Sequence, residues 1–166
     1  SRVPVVAAIG GHCPAGGCVL SLAADYRIMA ASSDPAKPYR IGLNEVAVGL
    51  VAPEGIQRLL RRLVGVHRAG QLLTAGQMVS AERAHALGMV DDLVPVEQVD
   101  QRAIAWLQQL LQLPRTPMLA TRTIARADLH EALAGEHIQL ERFVDAWYGA
   151  DAQAALNGLM ATLGKG

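Results

Sequence analysis

Apolar residues form short continuous runs in the first third of the chain and fall at helical spacing afterwards. Residues 3–9 are apolar and rich in β-branched side chains, a pattern that predicts a short buried strand. A glycine-rich loop follows, and a helix is predicted over about 16–24. The runs "DYRIMAA" and "YRIGL" predict two further strands around the polar turn segment "SSDPAKP", and "NEVAVGLVAP" is expected to be irregular.

The pattern becomes helical after Pro53, a residue that suits the start of a helix. Apolar side chains then recur at i, i+3, i+4 and i+7 with arginines on the opposite side, and Gly65 ends this helix. Two short helices closed by Gly76 and Gly88 follow, the second with Ser80 as its N-cap. The remaining predictions are a strand in "MVDDLVP" and helices over 96–112, 116–126, 128–148 and 150–163. The helix over 128–148 is expected to carry one apolar stripe of Leu129, Leu133, Leu140, Val144 and Trp147.

The order of these elements indicates an α/β unit that is only partly represented. A few strands and a helix in residues 1–95 are followed by an almost entirely helical region over 96–166. The first strand begins almost at Ser1, with no polar segment before it. We therefore expect the chain to be the second part of a larger α/β unit, with the natural protein beginning further upstream.

Composition excludes some classes of function. Lysine plus arginine equals aspartate plus glutamate at 15 each, so no basic field indicates binding to nucleic acid or to a membrane surface. No apolar stretch has the length of a membrane span. Two cysteines five positions apart do not make a disulfide framework, and they suit a reducing compartment.

The loop "GGHCPAGG" is the first candidate site. It matches neither the dinucleotide fingerprint nor the phosphate loop, which needs Lys-Ser/Thr after its last glycine. His12, Cys13 and Cys18 lack zinc-site spacing, and a cysteine nucleophile next to His12 is disfavoured because adjacent side chains point apart. Gly16 and Gly17, where a strand turns into a helix, would expose backbone N–H groups to an oxyanion. On the loop alone, a tight strand-to-helix turn with glycines required only by packing is the favoured interpretation.

Glu45 differs from the other carboxylates because it lies in a mostly apolar segment with no other charge. The other glutamates lie on predicted polar helix faces, whereas no other charge lies between Arg40 and Glu54. An isolated carboxylate in an apolar run is either an exposed loop residue or a base whose pKa is raised by desolvation. Asp25 is a weaker candidate, since it is expected to cap a turn or to pair with Arg27 or another neighbour.

Three stretches together resemble a known superfamily. "VPVVAAIGGHCPAGGCVLSLAADYRIMA", "YRIGLNEVAVGLVAPEGIQRLLRRLVG" and "LLTAGQMVSAERAHALGMVDDLVP" are similar to the second half of the crotonase (enoyl-CoA hydratase/isomerase) superfamily. "CPAGG" followed by "IGLNE" is most similar to its 3,2-trans-enoyl-CoA (dodecenoyl-CoA) isomerase branch. The resemblance implies a crotonase-like (ClpP/crotonase) α/β core of ββα repeats, with its second part at 1–95 and a C-terminal helical region for trimerisation and CoA capping at 96–166.

The resemblance also implies roles for particular residues. Gly16 falls on the second oxyanion-hole donor and Glu45 on the catalytic glutamate, while the first oxyanion donor is expected upstream. Hydratases of the family have a second glutamate where this chain has Val19, so the resemblance favours a one-base isomerase. Further residues implied at or near the substrate are Pro14, Ala15, Gly17, Asn44, Val48, Leu50, Phe143 and Lys165. Val46 and Val51 are also candidates for the acyl pocket, and plain core packing remains an open interpretation for each apolar member.

The expected substrate is therefore an acyl-CoA thioester. Coenzyme A is part of that substrate, and no separate cofactor or metal is expected. The family habit implies a homotrimer or a dimer of trimers, in the cytoplasm of a bacterium or the mitochondrial matrix of a eukaryote. One alternative is an enoyl-CoA hydratase or another crotonase-type acyl-CoA enzyme. A non-catalytic crotonase-like assembly module is a second alternative.

Overall fold

The computed structural model describes residues 1–163. The strands of this part are β1 Val6–Ile9, β2 Cys13–Pro14, β3 Tyr26–Ala31, β4 Arg40–Gly42, β5 Val79–Ser80 and β6 Asp92–Pro95. The helices are α1 Ala15–Leu22, α2 Glu54–Val64, α3 Val66–Thr74, α4 Ala81–Ala86, α5 Val99–Leu111, α6 Arg115–Ala125, α7 Ala127–Ala132, α8 Gly135–Ile138, α9 Leu140–Trp147 and α10 Ala150–Leu163. Two 3₁₀ helices cover Glu45–Val48 and Val96–Gln98.

The strands form two small sheets. The first is parallel and has the order β1-β3-β6. Its central strand is apolar on both faces, and Ile28, Met29 and Ala30 are fully buried, as expected for a strand covered from both sides. The second sheet has the order β2-β4-β5, with β2 parallel and β5 antiparallel to β4.

Helices cover both faces of the first sheet. On one face α5 packs Val99 and Ala103 against Ile28, and the rings of Tyr26 and Trp106 stack at 4.9 Å. On the other face the apolar stripe of α2, with Leu59 almost fully buried, joins the main core. The α/β layering predicted from the sequence is therefore confirmed. Within the described residues, every helix is too short or too polar to cross a bilayer.

The single helix predicted over 128–148 is wrong. The segment is divided into α7, α8 and α9, and Gln139 adopts the left-handed conformation at φ 47° between the last two. Only Leu129 of the proposed stripe is buried, and Leu140 is 65% exposed. Helical spacing alone hid these breaks because the apolar residues before and after them keep a common periodicity. The two-residue strands β2 and β5 were also not predicted.

The helices after β6 are tied to the core by buried charge. The Asp25 carboxylate accepts hydrogen bonds from Arg122 Nε at 2.7 Å and from Arg122 Nη2 at 2.8 Å. Arg126 Nη1 lies 3.0 Å from the same carboxylate. The expected partner Arg27 pairs with Asp91 instead, at 2.7 Å. Asp25 is therefore a structural anchor for α6, with its partners about a hundred positions away.

Candidate active site

Because β2 and β4 pair in parallel, the segments that follow these two strands lie at the same edge of the second sheet. Cys13 is aligned with Ile41 and Pro14 with Gly42. Gly16 follows β2 by two residues, and Glu45 follows β4 by three. The carboxyl ends of neighbouring parallel strands are a common place for ligands in α/β folds. The structure thus brings the two principal candidates, Gly16 and Glu45, to the same edge.

Gly16 and Gly17, in the turn that leads into α1, differ in whether packing requires a glycine. Ala15 has φ 43°, a left-handed conformation that costs a residue with a Cβ about 1 kcal/mol or more. A Cβ built on Gly16 meets no atom within 4 Å, so packing does not require glycine there. A Cβ on Gly17 would lie 3.2 Å from Cys13 Sγ, so packing does favour glycine at that position. The open backbone at Gly16, just after Pro14 and Ala15, leaves room for a ligand beside the first turn of α1.

Glu45 is buried, and no cation within residues 1–163 forms an ion pair with its carboxylate. It opens the 3₁₀ helix over Glu45–Val48 and is 8% exposed, and its Oε2 has no hydrogen-bond partner in the part of the chain that the structure describes. Its backbone carbonyl accepts a hydrogen bond from Leu50 N at 2.9 Å, which closes the loop and fixes its position. Burial raises the pKa of the Glu45 carboxyl above its ordinary value, and a hydrogen bond from its own backbone N–H opposes this rise. Such a carboxylate is suited to take up a proton.

The other reactive side chains of the glycine-rich loop have structural surroundings. Burial raises the pKa of both the Cys13 and the Cys18 thiols, so neither is a thiolate at neutral pH. His12 Nδ1 accepts a hydrogen bond from Arg40 N at 3.2 Å, and its ring meets Tyr39 edge-on. Among residues 1–163, no group of three His, Cys, Asp or Glu side chains is placed to hold a metal ion.

A cavity of about 170 Å³ lies beside Glu45. It is lined by Leu43, Glu45, Val46, Val51, Ala52, Gln57, Leu73 and Thr74. Of the apolar candidates, Val46 and Val51 lie in this wall, whereas Val48 and Leu50 do not. The left-handed Gly49 turns the chain between those two, and α10 packs so closely there that a Cβ would lie 2.6 Å from Ala152 N.

Five lining residues of this cavity were not predicted from the sequence, and three of them come from helices that follow the loop. Gln57 comes from α2, and Leu73 and Thr74 come from the end of α3. Each follows an ordinary helical pattern, so no local signal marks it. They reach Glu45 because α2 and α3 pack together behind the loop that carries it.

The remaining candidates lie around this edge or outside the described part. Asn44 precedes the 3₁₀ helix, and its carbonyl accepts a hydrogen bond from Ala47 N at 3.0 Å. Its buried Oδ1 has no hydrogen-bond partner among the described residues. Phe143 of α9 lines a second cavity of about 210 Å³. Lys165 lies outside the described residues.

Comparison with known proteins gives a consistent family. The sequence model of the family Enoyl-CoA hydratase/isomerase matches residues 1–161. The human protein named "Enoyl-CoA delta isomerase 1, mitochondrial" is 36% identical over 126 residues, which are 76% of this chain and 40% of that protein. "Probable enoyl-CoA hydratase echA17" of Mycolicibacterium paratuberculosis is 35% identical over 159 residues, which are 93% of this chain and 60% of that protein.

A solved structure supports the same fold. The crystal structure of human mitochondrial delta3-delta2-enoyl-CoA isomerase aligns with a TM-score of 0.86 and 31% identity. The alignment covers 99% of this chain and 63% of the human chain. The expected crotonase-like fold is thereby confirmed. The chain spans between 40% and 60% of the length of these two curated relatives.

Proposed function

The chain belongs to the enoyl-CoA hydratase/isomerase family, and from this premise we propose that it acts as an enoyl-CoA isomerase with Glu45 as its base. The reaction converts a 3-enoyl-CoA into a 2-trans-enoyl-CoA. One observation carries the proposal: Glu45 is buried, and among residues 1–163 its Oε2 has no hydrogen-bond partner. At the position where the family resemblance puts a hydratase's second glutamate, Val19 packs against the apolar core.

The proposed mechanism moves one proton within the substrate. The Glu45 carboxylate removes a proton from C2 of the 3-enoyl thioester. The C2–H electron pair forms a C1=C2 bond as the thioester carbonyl pair moves onto oxygen, which gives a dienolate that still contains C3=C4. Glu45 then returns the same proton to C4. The C3=C4 pair forms the new C4–H bond, the C1=C2 pair becomes the C2=C3 bond, and the thioester carbonyl re-forms. No water, metal or redox cofactor enters the balance, and coenzyme A remains attached throughout.

Two features of the site favour this proton transfer. The C2 proton is a very weak acid. The site therefore needs hydrogen-bond donors that bind the dienolate oxygen more strongly than they bind the oxygen of the neutral thioester. The backbone N–H of Gly16, in the first turn of α1, is our proposed donor, since the first N–H groups of a helix have no acceptor within it. Burial also raises the pKa of the Glu45 carboxyl toward the much higher pKa of the C2 proton, which makes Glu45 a stronger base for this transfer.

The wider setting is part of the same proposal. Removal of a misplaced double bond is a step that the breakdown of unsaturated fatty acids requires, and we assign the protein to that process. Human mitochondrial relatives support this, because they are named as enoyl-CoA isomerases. A homotrimer is the assembly we expect in solution.

Hydration of a 2-enoyl-CoA is the second candidate. A mycobacterial relative of almost the whole chain is named as a hydratase. Hydration would need a group besides Glu45 to activate water or to protonate C2, and Val19 cannot do either.

The deciding experiment uses the product of the complete gene. Conversion of a 3-enoyl-CoA is followed by the ultraviolet absorbance of the conjugated product, and loss of the same absorbance reports hydration of a 2-enoyl-CoA. We expect isomerisation to dominate and Glu45→Gln to reduce kcat by about 10³-fold, in the range for general acid–base groups. Glu82→Gln, on an exposed helix face, is the matched control and should keep wild-type rates.

Each other outcome has a distinct meaning. Full activity of Glu45→Gln would refute the role of this carboxylate. Hydration as fast as isomerisation would favour the hydratase. No turnover of either substrate by the trimeric wild type would favour a non-catalytic assembly module.

A further inference from the structure

Two cavities meet at a shared wall next to Glu45. The Glu45 cavity of about 170 Å³ and the second cavity of about 210 Å³ have three lining residues in common, Val51, Ala52 and Gln57. The second cavity extends beneath α8 and α9, where Ile138 and Phe143 give it apolar walls. A hydrocarbon chain leaving Glu45 in this direction would have to pass the shared wall.

The Gln57 side chain is tethered across that wall. Its Nε2 donates a hydrogen bond to the Ala52 carbonyl at 2.8 Å, which joins α2 to the loop after the 3₁₀ helix. Its Oε1 accepts a longer contact from Arg61 Nη2 at 3.5 Å. Both ends of the amide are therefore engaged, and Ala52 itself is buried. A side chain held in this way forms a fixed partition.

We propose that Gln57 is a specificity-determining residue that restricts the enzyme to short 3-enoyl chains. This inference rests on the proposed isomerase function and deepens it. The Glu45 cavity is apolar except for Glu45, Gln57 and Thr74, which fits a hydrocarbon next to the base. Gln57 lines both this cavity and the second one, so its side chain lies between them.

The volume of the Glu45 cavity sets the length of the acyl chain that we expect the enzyme to prefer. A cavity of about 150 Å³ holds one benzene molecule, so the Glu45 cavity accommodates about six carbon atoms. With the thioester carbon outside, beside Gly16, the preferred substrates have acyl chains of about six to eight carbons. Even one extra methylene in a filled hydrophobic pocket costs about tenfold or more in kcat/KM. Chains of about twelve carbons should therefore react at least about tenfold more slowly than the optimum.

The test compares chain lengths in the complete gene product. We measure kcat/KM for 3-enoyl-CoA thioesters with acyl chains of six, eight, twelve and sixteen carbons. Calorimetry with saturated hexanoyl-CoA and dodecanoyl-CoA gives Kd values that do not depend on the chemistry. Gln57→Ala opens the partition, and we expect it to raise kcat/KM for the twelve-carbon chain about tenfold while changing the six-carbon chain less than about threefold.

Three further variants locate the effect. Gln57→Leu retains the side-chain volume and should keep the short-chain preference. Val51→Ala widens the same wall at a residue that is 54% exposed, so it provides a second opening if Gln57→Ala fails to fold. Gln71→Ala, on an exposed position of α3 outside both cavities, is the matched control and should behave as wild type.

The outcomes separate this inference from the proposed function. A wild type that isomerises no chain length refutes the proposed function. A wild type that isomerises twelve-carbon chains as well as six-carbon chains refutes only the Gln57 partition. An unchanged length profile in both folded opening variants also refutes it.

Discussion

Replacement of Asp25 by alanine tests how the helices after β6 are held to the core. The Asp25 side chain is 10% exposed, and those of Arg122 and Arg126 are 12% and 11% exposed. Asp25→Ala would leave two nearly buried guanidinium groups without their counter-charge. It would also leave the Val5 N–H without its acceptor, which now lies at 2.8 Å.

The expected loss in the free energy of unfolding follows from the burial of these side chains. Removing one partner of a buried ion pair costs about 3–5 kcal/mol. We expect the lower end, about 3 kcal/mol, because Arg122 and Arg126 keep hydrogen bonds to the backbone carbonyls of Ser1 and Ala24. For a chain of this size that loss lowers Tm by about 6–12 °C.

Chemical denaturation with a matched control measures the effect. Asp128→Ala breaks an ion pair to Arg62 of similar length, 2.8 Å, but with side chains that are 59% and 30% exposed. Such a pair contributes at most about 1 kcal/mol. Equal destabilisation by the two alanine variants would refute the argument that burial sets the cost.

The destabilisation caused by Asp25→Ala should also depend on pH. Burial alone would raise the pKa of Asp25, but hydrogen bonds from Arg122 and Val5 and the charge of Arg126 outweigh it and hold the pKa below its ordinary value. A lowered pKa in the folded state stabilises the protein above the unfolded pKa, and this contribution is lost as pH falls through the folded value. The difference between wild type and Asp25→Ala should therefore shrink below about pH 4. A difference that stays constant down to pH 2 would contradict the assignment.

Three further variants probe stability elsewhere. Glu45→Gln should raise the free energy of unfolding at pH 7 by about 1 kcal/mol, since burial disfavours the ionised Glu45 carboxylate and its Oε2 has no hydrogen-bond partner within residues 1–163. Because the pKa of Glu45 is raised in the folded state, this gain should vanish below the unfolded pKa of about 4.3. Gly49→Ala should lower Tm and loosen α10, measured by hydrogen exchange, because φ is 74° and a Cβ would lie 2.6 Å from Ala152 N. Ser80→Ala should cost about 1 kcal/mol in urea denaturation, since the Ser80 hydroxyl accepts from Arg83 N at 3.2 Å and caps α4.

Much of the secondary structure could be predicted because its signals are local. The helical spacing of apolar residues marked α2, and Gly65 ends it as expected. Gly76 and Gly88 close their helices with positive φ, and Ser80 caps α4. A cap or a turn depends on a few adjacent residues, so a short stretch of sequence contains the information.

The candidate site was predicted in outline only. Glu45 stood out because neighbouring residues carry no charge, and the structure buries it. Its catalytic role and that of Gly16 stay predictions, supported by the family. Gln57 was missed because nothing near it in the chain shows that it faces the loop carrying Glu45.

The sequence by itself determined the helix ends that a local signal marks, such as Ser80 and Gly65, together with the α/β class and the identity of one isolated carboxylate. Only the tertiary structure decided that β2 pairs with β4, that Asp25 meets Arg122, and that Gln57 lines the Glu45 cavity. The physical reason is that burial, ion pairing and cavity shape depend on contacts between residues far apart in the chain. Periodicity along the sequence does not record which distant faces meet.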